Sequence, residues 1–219
     1  DTVQRIFTDR GPGGGHIIPD RLKDFYTFYS PYEREKPKRP LPFYIAASMA
    51  HAGREETIAR YDELFESLSR DLKTSPYRRA TTENPTAKLA STLAEKKYSL
   101  IHHLLIKHIP NMLKRADMRY QTTTQYKAVV TIFALKQWQR EKGEYPEKLE
   151  ELVEADYLKE IPDDPYSEGA LRYERLQDGF MLYSVGPNFE DDGGVVGKDE
   201  EGQVKMWGEN SDAVFWPVQ

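Results

Sequence analysis

The sequence predicts an α+β fold in which an N-terminal all-α helical region precedes a long helix packed on a small antiparallel sheet. Apolar residues recur at helical spacing through the first half of the chain, and the last such pattern ends at Gly143. After Gly143, short apolar segments alternate with proline, glycine and aspartate, as in a small sheet with tight turns. We therefore predict a helical region over residues 1–110 and an α+β head over residues 111–219.

The helical region begins with a glycine-rich run over residues 11–15, which predicts a mobile N-terminal segment. A first helix is predicted over residues 55–73 from an apolar stripe at three- and four-residue spacing, formed by Ile58, Tyr61, Leu64, Phe65, Leu68 and Leu72. Asn84 and Pro85 are typical of an N-cap and a first helical position. This second helix is expected to end or kink at Pro110, which lacks an amide donor.

The head is predicted to start with a helix over residues 111–142, capped by Gly143. Its core-facing residues are predicted to be Val129, Ile132, Phe133 and Trp138, packed against the sheet. A short helix should follow around Leu149, Leu152 and Val153. Strands are expected over residues 171–174 and 180–185, joined by a turn at residues 177–179, and a final strand over residues 213–216.

Composition limits the function classes. The 219 residues are 38% hydrophobic and 31% charged, which is typical of a globular chain with a charged surface. The net charge of -5 predicts no general attraction to nucleic acid or anionic lipid. The longest apolar runs, residues 41–50 and 128–135, are shorter than the roughly 18–20 residues of a membrane helix. The absence of cysteine excludes disulfides and cysteine-ligated metal sites.

Several motifs follow one another in the last third of the chain. They are Gly143-x-Tyr145-Pro146, Asp164-Pro165-Tyr166, the strand end Leu182-Tyr183-Ser184-Val185-Gly186, and the closing segment Asn210-Ser211-Asp212-Ala213-Val214. In this order they resemble the globular head of a type II secretion system major pseudopilin of the G type. A pseudopilin carries an apolar anchor before its long helix, whereas charged helical sequence stands there in this chain. The resemblance therefore extends to the head alone, as at the C-terminus of larger envelope proteins of uncharacterised role.

The resemblance also implies a calcium site in the loop after the strand end, because major pseudopilins bind calcium there through a backbone carbonyl and carboxylates. The corresponding positions are the Val185 carbonyl, Asn188 in place of an aspartate, and Asp212. Asp191 and Asp192 would supply further oxygens, the ligand type that Ca²⁺ takes. The alternative is a solvated acidic loop without an ion.

The resemblance favours a non-catalytic, extracytoplasmic structural or interaction module, with a protein partner in the cell envelope. It implies membrane anchoring through an apolar segment upstream of Asp1. The chain has no nucleophile-elbow motif and no phosphate-binding loop. Spacings of one, five and six residues among His102, His103 and His108 do not favour a helical metal pair. The alternative function is an envelope enzyme with an unidentified active site in the helical half.

Overall fold

The computed structural model describes residues 4–8, 11, 14–29, 40, 42, 45–46, 52–83, 85–92 and 109–217. Helices and a small antiparallel sheet make up these residues, which confirms the predicted α+β class. The chain divides into two compact units. One comprises residues 1–73 and 83–114, and the other comprises residues 74–82 and 115–219.

The first unit is helical in its described parts. After a 3₁₀ turn at Gln4–Ile6 come α1 (Pro19–Tyr29) and α2 (Arg54–Asp71). Its last described helix is α4 (Pro85–Thr92), and α3 (Pro76–Thr81) belongs to the second unit. The helix predicted over residues 55–73 is therefore confirmed as α2, whose buried side includes Leu64 and Leu68. These leucines pack with Ile109, and Leu72, Leu89 and Leu113 adjoin them.

The residues on either side of the glycine-rich run make ordered contacts. Phe7 and Ile17 form an antiparallel bridge, and the Thr8 amide donates to the His16 carbonyl at 2.8 Å. Burial of Ile6, Phe7 and Ile17 accounts for this pairing. Residues 12–13 of the run, Asn84, and residues 93–108, which include His102, His103 and His108, lie outside the described residues.

The second unit is built on the long helix α5 (Ile109–Lys142), most of which belongs to it. Pro110 stands in the first turn of α5, where a missing amide donor costs no helical hydrogen bond. Gly143 ends the helix at φ +87°, and its amide donates to the Gln139 carbonyl at 2.8 Å. This is the left-handed conformation that glycine adopts most easily after a helix. The short helix α6 (Glu150–Glu154) follows as predicted.

The sheet has the predicted hairpin and final strand. β1 (Arg172–Leu176) pairs antiparallel with β2 (Gly179–Ser184), and β2 pairs antiparallel with β5 (Ala213–Trp216). The strand order is therefore β1-β2-β5. Between β2 and β5 the chain forms a small ladder of β3 (Gly197–Lys198) and β4 (Val204–Lys205), which the sequence did not predict.

The core of the second unit lies between α5, α6 and this sheet. Its fully buried members include Ala128, Leu135, Leu152, Leu182 and Ala213. Ile132 and Trp138 pack against this core as predicted.

The prediction was wrong for the other two helix residues, since Val129 is 48% exposed and Phe133 is 71% exposed. The helix instead turns small residues inward, among them Ala128 and Thr131. Small side chains allow a helix to approach a neighbouring element closely. The prediction failed because it chose the core-facing residues by hydrophobicity alone, which favours bulky side chains.

Candidate functional site: the turn and loop around the second strand

One buried carboxylate joins the Asp-Pro-Tyr turn to the end of β2. Asp164 is 2% exposed, and its Oδ1 accepts from the Tyr166 amide at 3.0 Å, as in an Asx turn. The same oxygen accepts from the Ser184 hydroxyl at 2.7 Å, and Oδ2 accepts from the Val185 amide at 3.0 Å. Ser184 Oγ also accepts from the Gly186 amide at 3.2 Å. Two segments about twenty residues apart in sequence therefore share one hydrogen-bonded centre.

Burial raises the pKa of Asp164 above its ordinary value. The hydrogen bonds from Ser184, Tyr166 and Val185 oppose this shift without cancelling it. Asp164 was predicted only as a position of the Asp-Pro-Tyr motif, and its role as a buried acceptor was not predicted. The available signal was the Asp164-Pro165 dipeptide, because aspartate before proline favours a turn in which the side chain accepts from the backbone amide two residues on.

Beyond β2 the chain makes a tight turn that requires glycine. Gly186 has φ +74°, and a Cβ there would collide with the Ser211 carbonyl. The turn closes with a hydrogen bond from the Phe189 amide to the Gly186 carbonyl at 3.1 Å. Phe189 itself has φ +63°, which is unusual for a bulky residue, and its ring contacts those of Tyr77 and Tyr166. The start of the loop is thus fixed by both backbone and aromatic contacts.

Asp191 anchors the loop to the sheet. Its Oδ2 accepts from Arg172 Nε at 2.9 Å, and its Oδ1 accepts from the Tyr183 hydroxyl at 2.9 Å and the Gly193 amide at 3.2 Å. Burial works to raise the pKa of Asp191, but the hydrogen bonds and the charge of Arg172 outweigh it, and the pKa lies below the ordinary value. Burial, with Asp191 as a smaller cause, raises the pKa of Tyr183.

The side chain of Asp212 is a second carboxylate that accepts hydrogen bonds from the same loop. This side chain is fully buried, and its two oxygens accept from the amides of Gly194 at 2.7 Å and Asp192 at 3.4 Å. Its own amide donates to the Val195 carbonyl at 3.0 Å. Burial raises the pKa of Asp212, and the nearby charges of Asp192 and Asp191 act in the same direction.

The structure places three of the five predicted calcium ligands, Asn188, Asp191 and Asp192, in the loop after β2, and Asp212, which directly precedes β5, contacts this loop. Asn188 Nδ2 donates to Asp192 Oδ2 at 2.8 Å, and Asp192 adjoins Asp212 through its amide. The described contact of Val185 is the hydrogen bond from its backbone amide to Asp164, whereas the prediction used its backbone carbonyl.

These residues offer the type of oxygen that calcium takes, and the oxygens of Asp191 and Asp212 accept hydrogen bonds from groups of the protein. The bound partners of Asp191 and Asp212 are the positively polarised groups that a cation would replace, namely a guanidinium, a hydroxyl and amides. Across the described ranges, no group of three or more histidine, cysteine, aspartate or glutamate side chains is arranged to hold a metal. Calcium binding at Val185, Asn188, Asp191, Asp192 and Asp212 stays a prediction.

Comparison with known proteins finds no match to a family model, to a curated protein or to a solved structure. Among the described helices, none combines the length and apolar character needed to cross a membrane. The fold and site are therefore interpreted from their own contacts.

Proposed function

We propose that this chain is a non-catalytic interaction module of the cell envelope, with a head related to those of type II secretion pseudopilins. The supporting observation is that Asp164 links two motifs of the resemblance, the Asp-Pro-Tyr turn and the Tyr-Ser-Val-Gly strand end. The resemblance rests on the order of these motifs. Their direct contact gives that order a physical reason, because one carboxylate stabilises both.

A non-catalytic role is supported by the use of the buried carboxylates. A general acid or base needs a carboxyl group with an oxygen directed toward a substrate. Asp164 and Asp212 instead direct both of their oxygens at amides and a hydroxyl of their own fold. Their raised pKa values follow from burial, which occurs at structural positions as well as at active sites.

The proposed location is extracytoplasmic, with the full-length protein held at the membrane through a segment upstream of Asp1. The proposed partner is a protein of the envelope, and calcium binding in the loop after Gly186 is an additional, separable part of the proposal. Each of these follows from the resemblance and has its own test.

The test of the location is cell fractionation of the full-length protein, combined with protease treatment of spheroplasts. We expect the head to be digested when protease is added outside the inner membrane and to be protected in intact cells. In-cell crosslinking should convert it to larger complexes in the same fraction. Recovery of the intact protein in the cytosol would contradict the proposal.

A further inference from the structure

A short segment of the chain belongs to the head although it lies outside the main sequence of the head. Residues 74–82, which contain α3, form the second unit together with residues 115–219. The residues on either side of this segment, 1–73 and 83–114, belong to the first unit. Noncovalent contacts with the head must therefore hold residues 74–82 in the second unit.

The local sequence explains why α3 is short. The Ser75 hydroxyl accepts from the Arg78 amide at 3.4 Å as an N-cap, and Pro76 occupies the first helical position. The helix ends at Thr82, where the backbone is extended. A helix of six residues is not stable by itself in water, because so few hydrogen bonds do not offset the cost of nucleation. The helical form of α3 therefore depends on its contacts with the head.

Three polar and aromatic contacts join α3 to the rest of the second unit. The Tyr77 amide donates to the Pro165 carbonyl at 3.1 Å. The Tyr77 ring meets the Phe189 ring edge to face, with 6.1 Å between the ring centroids. The Arg79 guanidinium forms an ion pair with Asp117 of α5. The segment thus contacts both the Asp-Pro-Tyr turn and the loop after β2.

The ion pair is the strongest of these contacts. The side chain of Arg79 is 9% exposed and that of Asp117 is 35% exposed, so the pair is shielded from water on the arginine side. A hydrogen bond between two charged groups is stronger than one between neutral groups. Removing either partner of a buried pair is costly, because it leaves the other charge uncompensated. The position of α3 on the head therefore depends mainly on Arg79 and Asp117.

Apolar burial contributes little to the docking of α3. Of residues 74–82, all of which the structure describes, Pro76 alone is buried. The exposed residues of the segment are Arg78, Ala80, Thr81 and Thr82. The strand β2 that ends at the same site has Phe180, Leu182 and Ser184 fully or almost fully buried. An element that buries little apolar surface opens at a lower free energy than the core beside it.

We propose that residues 74–82 are a releasable strap on the head, which opens while α5 and the sheet stay folded and which the Arg79–Asp117 ion pair holds closed. Opening removes the contacts of Tyr77 with Pro165 and Phe189 and so uncovers the turn and the start of the loop. The strap therefore controls access to the candidate site. The inference does not depend on the cellular location of the protein or on its relation to pseudopilins.

Amide hydrogen exchange of the purified full chain, read by mass spectrometry of peptic peptides, measures this opening. We expect residues 74–82 to be protected, but at least about tenfold less than β2. Low urea should hardly change the exchange of residues 74–82, because a local opening exposes little surface, whereas it should accelerate the exchange of β2. Equal protection and equal urea dependence of the two segments would overturn the inference, and so would a complete lack of protection in residues 74–82.

Three variants test the ion pair. Arg79→Ala should lower the protection of residues 74–82 by at least about tenfold and leave that of β2 within about twofold of wild type. Asp117→Asn should have the same effect from outside the strap, which excludes a change in the helix propensity of α3 as the cause. Arg78→Ala is the matched control, because it makes the same substitution at the exposed neighbouring position and should leave both segments within about twofold of wild type. Equal effects of Arg79→Ala and Arg78→Ala, or a matching loss of protection in β2, would overturn the inference.

Discussion

Replacing Asp164 with alanine tests the centre on which the proposed function rests. The substitution removes an acceptor of three hydrogen bonds and leaves the amides of Tyr166 and Val185 and the hydroxyl of Ser184 without it. Hydrogen bonds to a charged group contribute about 1.5–3 kcal/mol each, so the simple sum is roughly 4.5–9 kcal/mol.

The expected loss is smaller than this sum. Burial already raises the pKa of Asp164, so the native carboxylate is itself destabilised by desolvation, and removing it recovers part of that cost. Hydrogen bonds that share one acceptor group are also not additive. We therefore expect Asp164→Ala to lower the free energy of unfolding of the head by about 3–5 kcal/mol.

Tryptophan fluorescence during urea unfolding measures this loss in the head alone, because all three tryptophans lie there, at positions 138, 207 and 216. Asp163→Asn is the control, since the neighbouring Asp163 is exposed and should change the free energy by no more than about 0.5 kcal/mol. A loss below about 1 kcal/mol for Asp164→Ala would refute the argument, because it would mean that the three hydrogen bonds do not hold the turn and the strand end together.

Three further predictions concern the loop after β2. Gly186→Ala should lower the free energy of unfolding, measured in urea, by about 2–4 kcal/mol. The control Gly143→Ala should lower it by about 1–2 kcal/mol, because φ is also positive there but the space around the Cα atom is open. Equal losses would contradict the close approach of the Ser211 carbonyl to Gly186. Because the pKa of Asp191 is held below its ordinary value, its contribution to stability is present above about pH 4 and is lost as the pH falls further. Below about pH 4 the wild type should therefore lose stability more steeply than Asp191→Asn, and parallel curves would contradict this. In thermal melts, calcium at a hundredfold excess over its dissociation constant should stabilise the chain by about 2.7 kcal/mol relative to a sample with chelator. Asp212→Ala should abolish this gain, and Lys205→Ala should retain it. An unchanged melting midpoint of the wild type would exclude the site.

The sequence was sufficient to predict the helices and the three-stranded sheet of the head, but not the β3–β4 ladder or which face of the long helix is buried. Gly143, the Asp178-Gly179 turn and the alternating strand residues are local signals, and the helix and hairpin lie where these signals indicate. The burial of Ala128 and the exposure of Phe133 depend on how closely the sheet approaches α5. That distance is set by residues far apart in sequence.

The same limit applies to the candidate site. The acidic character of the loop after Gly186 was evident from the sequence, but the donors to its carboxylates were not. Arg172 and Tyr183 reach Asp191 from β1 and β2 because the hairpin register places these two residues opposite each other. Long-range pairing therefore decides whether the acidic residues are open to an ion or already hydrogen-bonded.

The unexpected orientation of α5 is consistent with the charges along it. Turning the helix to bury Phe133 would also bring Arg140 toward the core, since these two residues share a face of α5. Burying a guanidinium group without a partner costs far more than the roughly 1.5–3 kcal/mol gained by burying one large apolar side chain. Arg140 therefore favours the orientation with small residues inward, which leaves Phe133 exposed. Phe133→Glu should accordingly leave the unfolding free energy within about 0.5 kcal/mol of wild type, whereas Leu135→Ala, two residues away but fully buried, should cost about 2–5 kcal/mol. A large loss for Phe133→Glu in the same urea titration would show that this face contributes to folding and would contradict the account of the helix orientation.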